Sequence, residues 1–154
     1  VKGFEKSRYS AIMERSIGLG VMGFHSYLQK KNIPFESKEA KKFNKYFFKW
    51  FDKTSKEINY EVALELGSCL DYSILKTQNP ESVLKPVRWA NTSAIAPTAS
   101  ISIIAGGSSA GIEPIPANAY TQKTLSGSLP IKNRYVDEII HSRIRDLKMA
   151  DLTI

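Results

Sequence analysis

The run Asn91-Thr92-Ser93-Ala94-Ile95-Ala96-Pro97-Thr98-Ala99-Ser100-Ile101-Ser102 decides how this chain is read. A short apolar strand runs into a proline, and a cluster of small hydroxyl residues follows at once. The strand delivers the backbone to a site, Pro97 forces a sharp exit, and the N–H groups beyond it are left without ladder partners. Thr98, Ser100 and Ser102 add hydroxyl donors to those amides. Unpaired N–H groups and a favourable dipole at a helix or turn N-terminus suit an anion, above all a phosphate. The seat contains no lysine, unlike a Walker loop with its Gly-Lys-Ser/Thr ending. On these residues alone a simple capped turn remains an alternative, because Thr and Ser after proline often do no more than that.

Downstream, Ile101, Ile103 and Ile104 fit either a buried strand or a short packed helix. Gly106-Gly107-Ser108-Ser109-Ala110-Gly111 reads as a flexible turn. Gly111-Ile112-Glu113-Pro114 sets one carboxylate beside a proline, where it is expected to accept from loop amides rather than to act as a general base. Ala119 to Lys123 and Leu129 to Asn133 read as strands around Ser126-Gly127, with a closing helix from Arg134 to Lys148.

Upstream, the spacing of Ala40, Phe43, Phe47, Trp50, Phe51, Thr54 and Ile58 at three- and four-residue steps predicts a helix from Ser37 to Leu66. Ser37 is its N-cap, Glu39 lies in its first turn, and Gly67 is its C′ residue. The aromatic stripe is expected to pack on a sheet rather than to stack bases. Ser68 to Pro86 reads as an irregular connection with one helical turn near Glu81 to Leu84. Before the long helix come an amphipathic helix within Val1 to Arg15, a short strand at Ser16 to Leu19, and a helix from Val21 to Lys31. Asn32-Ile33-Pro34 ends that helix, since the residue before proline avoids helical geometry. Alternating strands and helices place the chain in the α/β class.

Gly18-Leu19-Gly20-Val21-Met22-Gly23 satisfies the Gly-x-Gly-x-x-Gly fingerprint of dinucleotide-binding folds. The fingerprint needs an apolar strand before it and an acidic residue ending a second strand about 20 residues later. Here Glu14 and Arg15 precede it, and Glu36 and Glu39 lie around a proline break and a helix start. A nicotinamide-dependent oxidoreductase built on these glycines is one rival reading. The structural reading is that they let a strand turn tightly into a closely packed helix.

Several of these stretches together resemble one family. Arg15-Ser16-Ile17-Gly18-Leu19-Gly20-Val21-Met22-Gly23, Pro34-Phe35-Glu36-Ser37, Ala94 to Ser102, Gly111-Ile112-Glu113-Pro114, Tyr120-Thr121 and Leu125-Ser126-Gly127 are similar, in the same order, to the large catalytic subunit of ribonucleotide reductase. The resemblance runs from about Arg15 to Asn133. It implies part of a ten-stranded α/β barrel, helix-rich, with residues 1–154 as one segment of the catalytic domain. It also implies that Pro97, Thr98, Ala99, Ser100, Ile101 and Ser102 bind the phosphates of a ribonucleoside di- or triphosphate. The complete enzyme would reduce the ribose 2′-OH by thiyl-radical chemistry. Its implied partners are the remainder of the large subunit, a radical-generating small subunit, and thioredoxin or glutaredoxin. Its radical source would be a small-subunit metal/tyrosyl centre or cobalamin, with a thiol reductant, none of them bound by this segment. Effector control, including ATP binding, and the reactive thiols belong to family regions without a match here. Cys69 matches none of the family's cysteine motifs, and Tyr120 and Tyr135 match none of its relay tyrosines, so no catalytic residue is assigned.

Composition sets the outer bounds. The formal charge of +7 admits a second rival, a basic nucleic-acid-binding module. Much of the excess, however, sits in Lys38, Lys41, Lys42, Lys45, Lys49, Lys53 and Lys56, which reads as the solvated face of one helix. Cys69 is the lone cysteine, so no internal disulfide forms, which suits a reducing cytoplasm. His25 and His141 stand apart, without ligand-spaced partners, so no metal site is expected. No stretch approaches the ~20 apolar residues of a membrane span. The first residues lack the apolar core of a signal peptide, and the chain opens without methionine, so it reads as an excerpt of a longer protein.

Overall fold

The computed structural model describes residues 3–124, 127–136 and 138–141. Its elements in chain order are α1 (Glu5–Glu14), α2 (Phe24–Lys30), α3 (Lys38–Leu66), α4 (Leu70–Gln78), α5 (Ala99–Ile104), β1 (Ala119–Thr124) and β2 (Gly127–Lys132). They divide into two compact units, one of Val1–Gly20 with Asn44–Ala94, the other of Val21–Phe43 with Ile95–Ile154.

In the first unit, α1 and α4 border a groove of about 710 Å³ lined by Phe4, Tyr9, Ile12, Met13 and Leu70. The expected strand at Ser16 to Leu19 is reduced to one isolated parallel bridge, Leu19 to Ser93. The pairing is nevertheless regular: Ile17 N donates to Asn91 O at 2.9 Å, Leu19 N to Thr92 O at 3.1 Å, and Ala94 N to Leu19 O at 3.1 Å. Gly18 permits this approach, because a Cβ there would lie 3.0 Å from the Ala94 Cβ. Close packing is thus the task of the first fingerprint glycine, against the 91–94 segment rather than against the helix the sequence reading expected. The strand–turn–helix context of a dinucleotide site is missing, since the regular element before these glycines is α1.

Asn59, on the inner face of α3, clamps the chain ahead of the Asn91 run. Its Oδ1 accepts from Arg88 N at 2.8 Å and Trp89 N at 2.9 Å, while its Nδ2 donates to Trp89 O at 2.9 Å. One side chain thereby satisfies three backbone groups of a segment that has no ladder of its own. The α3 stripe differs from the sequence expectation at Trp50 and Ile58, which are 53% and 48% exposed. Its aromatics pack chiefly on one another, Phe47 on Phe48 at 5.2 Å and on Trp50 at 5.8 Å between ring centres. The connection after Gly67 is more regular than expected. Leu70 to Gln78 is helical, and the turn anticipated near Glu81 to Leu84 forms no helix.

In the second unit the core is Phe24, Leu28 and Ala40, with Ile33, Phe43 and Ile112 packed against them. Phe24 stacks on Phe43 at 5.7 Å and meets Phe35 edge-on at 6.3 Å. Each such side chain contributes about 1.5–3 kcal/mol when fully buried. Ser37 caps α3 as expected, its Oγ accepting from Ala40 N at 3.0 Å. The hairpin expectation also holds: β1 and β2 pair antiparallel from Ala119 opposite Lys132 to Thr124 opposite Gly127. Of the expected Ser126-Gly127 turn, Gly127 already belongs to β2, while Ser126, like 137 and 142–148 of the expected closing helix, lies outside the described residues. Residues 135–136 and 138–141 are helical.

Candidate phosphate-binding site

The residues after Pro97 take the helical alternative. Thr98 is the N-cap of α5 and sits in the left-handed region, with φ 48° and ψ 26°. For a β-branched residue that conformation costs about 1–2 kcal/mol, so something must hold it there. Two contacts do: Thr98 Oγ1 accepts from Gly111 N at 2.9 Å, and Thr98 O accepts from Ser102 N at 2.8 Å.

The consequence lies in the next three residues. The amides of Ala99, Ser100 and Ile101 have no intramolecular acceptor among the described residues, as the first turn of a helix requires. Ser100 is exposed, and its hydroxyl makes no hydrogen bond among the described residues. Pro97, Ala99 and Ile101 are exposed beside it. Ser102 is used differently. It is buried, and its Oγ donates to Ala99 O at 2.9 Å, stiffening the first turn from inside. The sequence expectation of three hydroxyl donors therefore resolves into one free hydroxyl at Ser100, one at Thr98 already accepting from Gly111, and one at Ser102 turned inward.

The far end of α5 is closed by the glycine turn. Gly106 and Gly107 both have positive φ, at 79° and 70°. Gly107 N and Ser108 N both donate to Ser102 O, at 3.0 and 3.1 Å. Arg134 Nη1 donates to Gly106 O at 2.7 Å. Beyond the turn, Ser109 locks onto the start of α2. Ser109 N donates to Ser26 Oγ at 2.8 Å, Ser26 N donates to Ser109 Oγ at 3.1 Å, and Gly23 N donates to Ser109 O at 2.8 Å. Gly23, the last fingerprint glycine, has φ 80° as the N-cap of α2, a backbone conformation that glycine adopts without strain.

The next loop is fastened at three points. Gly111 N reaches Thr98, Ile112 packs into the core, and Ile115 N donates to His25 Nδ1 at 2.9 Å. Burial lowers the His25 pKa from its ordinary value, which favours the neutral ring that this bond needs. Glu113 does not act as the expected acceptor. It is exposed, makes no hydrogen bond among the described residues, and its carboxylate lies over the Gly111 Cα. Sequence reasoning missed the pairing of Ser26 with Ser109 and the bond from Ile115 to His25; both join residues more than eighty positions apart.

Cys69 is fully buried in the other unit, where its N donates to Val87 O at 2.9 Å and its O accepts from Ser73 N at 3.3 Å. Among the described residues no group of three or more His, Cys, Asp or Glu side chains is placed to hold a metal ion. No described helix is long and apolar enough to cross a membrane.

Comparison with known proteins adds a family. The model of the family described as "Ribonucleotide reductase, barrel domain" matches residues 2–153. The chain is 47% identical over 135 residues to the ribonucleoside-diphosphate reductase large subunit of Invertebrate iridescent virus 6, covering 88% of this chain and 13% of that one. It is 35% identical over 135 residues to a vitamin B12-dependent ribonucleoside-diphosphate reductase of Thermoplasma acidophilum, covering 88% of this chain and 17% of the other. Among solved structures it is similar to the alpha subunit of the Actinobacillus ureae class Id ribonucleotide reductase. The TM-score there is 0.74 at 29% identity, over 93% of this chain and 24% of that one. The chain thus spans between 13% and 24% of the length of these proteins.

Proposed function

This chain belongs to the ribonucleotide reductase barrel-domain family, and from that premise we propose that it serves a ribonucleoside-diphosphate reductase by seating the substrate's diphosphate at Pro97 to Ser102. The observation that carries the reading is the open first turn of α5, where three consecutive amides and the Ser100 hydroxyl have no acceptor among the described residues. Donors of that kind hold a phosphate by charge-assisted hydrogen bonds. Thr98 fixes the turn from below, and Ser102 stiffens it from within. A diphosphate is the preferred guest because the Iridescent virus 6 and Thermoplasma acidophilum relatives are both named for diphosphates.

Such a seat does no bond chemistry. It sets the distance and angle at which the ribose meets reactive groups elsewhere in the subunit, and rate follows from that placement. The reduction of the 2′-OH by a thiyl radical is assigned to other parts of the protein, with the effector region and redox thiols also outside 1–154. Cys69, fully buried, is a structural residue in this reading. Relatives both with and without B12 in their names match this chain. Cobalamin or a small-subunit centre would supply the radical, and thioredoxin or glutaredoxin the reducing equivalents. The described residues offer no ligand cluster for such a centre.

The test is amide hydrogen exchange in the assembled large subunit, with and without a saturating ribonucleoside diphosphate such as CDP. Slowed exchange centred on 99–101 is the expected result. Unchanged exchange there, under conditions where the nucleotide is bound, would overturn the assignment.

A further inference from the structure

The seat is held open by a chain of contacts that begins outside it. Thr98 keeps its left-handed backbone while its Oγ1 accepts from Gly111 N at 2.9 Å. Gly111 opens a five-residue loop whose other end, Ile115 N, donates to His25 Nδ1 at 2.9 Å. That nitrogen accepts only when it carries no proton, so the bond exists with the neutral ring and is lost with the imidazolium. The ring is also fixed in place, meeting Phe35 edge-on at 5.4 Å between centres.

We propose that His25 is a positioning residue for the phosphate seat: its neutral imidazole fastens the Gly111 to Ile115 loop, and through the Gly111–Thr98 bond it keeps the Ala99, Ser100 and Ile101 amides aimed outward. The inference rests on the reading of Pro97 to Ser102 as that seat. The titratable and charged side chains carried by the elements around His25 are Tyr27 and Lys30 on α2, Glu36 beside Phe35, and Glu113 two residues before Ile115. None of them shifts the ring; burial does, in the direction that keeps it neutral. Acidification therefore unfastens the loop, and the seat loses its grip before the protein loses its fold.

The experiment uses the complete enzyme, the large subunit with its radical source and thiol reductant, and follows KM for CDP and kcat from pH 7.5 to 5.5, in wild type and in His25→Asn. Asparagine offers Oδ1 as an acceptor near the Nδ1 position but does not titrate. KM in wild type is expected to rise about fivefold more than in H25N as the pH falls, following the imidazole's protonation, while kcat changes in parallel in the two proteins. The substrate phosphate's own titration is common to both and cancels. A parallel measurement of Ile115 amide exchange is expected to show protection lost on acidification in wild type and kept in H25N. Identical KM profiles, or Ile115 protection indifferent to pH in wild type, would overturn the proposal. Failure of the seat itself is read separately, from absence of CDP protection at 99–101 in wild type at pH 7.5.

Discussion

Ser26 and Ser109 each donate a backbone N–H to the other's hydroxyl, at 3.1 and 2.8 Å, across a separation of 83 residues. Both are buried, at 4% and 2% exposure. The pair closes a small ring that ties the start of α2 to the end of the glycine turn that follows α5. Neither hydroxyl can be removed without leaving a buried amide unpaired, and that sets its energetic weight.

Ser26→Ala or Ser109→Ala is expected to destabilise this unit by about 1–3 kcal/mol, the cost of one unsatisfied buried donor. The double substitution costs less than the sum of the two singles, because they share the same ring. Denaturant midpoints of the two singles and the double check both statements. Full additivity would contradict the ring.

Asn59→Ala strips acceptors from Arg88 N and Trp89 N and a donor from Trp89 O. A loss of roughly 1–3 kcal/mol is expected, since Trp89 N and Trp89 O are left to find water while Arg88 N keeps only its long bond to the Asn59 backbone oxygen at 3.4 Å. Exchange at 88 and 89 is expected to rise before exchange along α3. An unchanged midpoint would show that water replaces the amide without cost.

How much of this was legible in the sequence depends on how local the cause was. The ends of α3 were readable because its signals lie in the chain itself: Ser37 caps Ala40 N, and Gly67 takes φ 81°. The β1–β2 hairpin was readable for the same reason. Helix α4 was not, because it has no side-chain cap bond and buries no residue, so no apolar stripe announces it. The open turn after Pro97 was legible from the proline and the hydroxyl cluster. The division of labour among those hydroxyls was not, because Gly111 and Ala99 choose the partners of Thr98 and Ser102 only once the chain is folded. Asn59 was not singled out in the sequence, because the backbone groups it clamps lie 29 and 30 residues away.

Gly18→Val tests the close pairing of 17–19 with 91–94. A Cβ at position 18 would already lie 3.0 Å from the Ala94 Cβ, and valine adds two methyl groups at that contact. Overpacking of this kind costs about 1–3 kcal/mol. Exchange at Leu19 and Ala94, whose amides bridge the two segments, is expected to rise with it. Unaltered stability would mean the segments are freer to separate than their hydrogen bonds indicate.

His25 gives stability a pH dependence of fixed sign. Its folded-state pKa is below the ordinary 6.5, so the unfolded chain takes up a proton at a higher pH than the folded one does. Its contribution is therefore complete above the ordinary value and is lost as pH falls through the lowered native value. Thermal melting between pH 8 and 5 is expected to show this loss in wild type and to show less of it in His25→Phe, which cannot titrate. A wild-type contribution that grew on acidification would reverse the sign and contradict the neutral ring.

If the exposed donors after Pro97 hold the substrate's charged tail, turning the Ser100 hydroxyl into a carboxylate must weaken the equilibrium affinity of the assembled large subunit for CDP, measured for Ser100→Asp beside Ser100→Ala. The aspartate is predicted to weaken binding at least about tenfold, some 1.4 kcal/mol, with the alanine losing a smaller part of that. An affinity in S100D equal to wild type would place the diphosphate elsewhere.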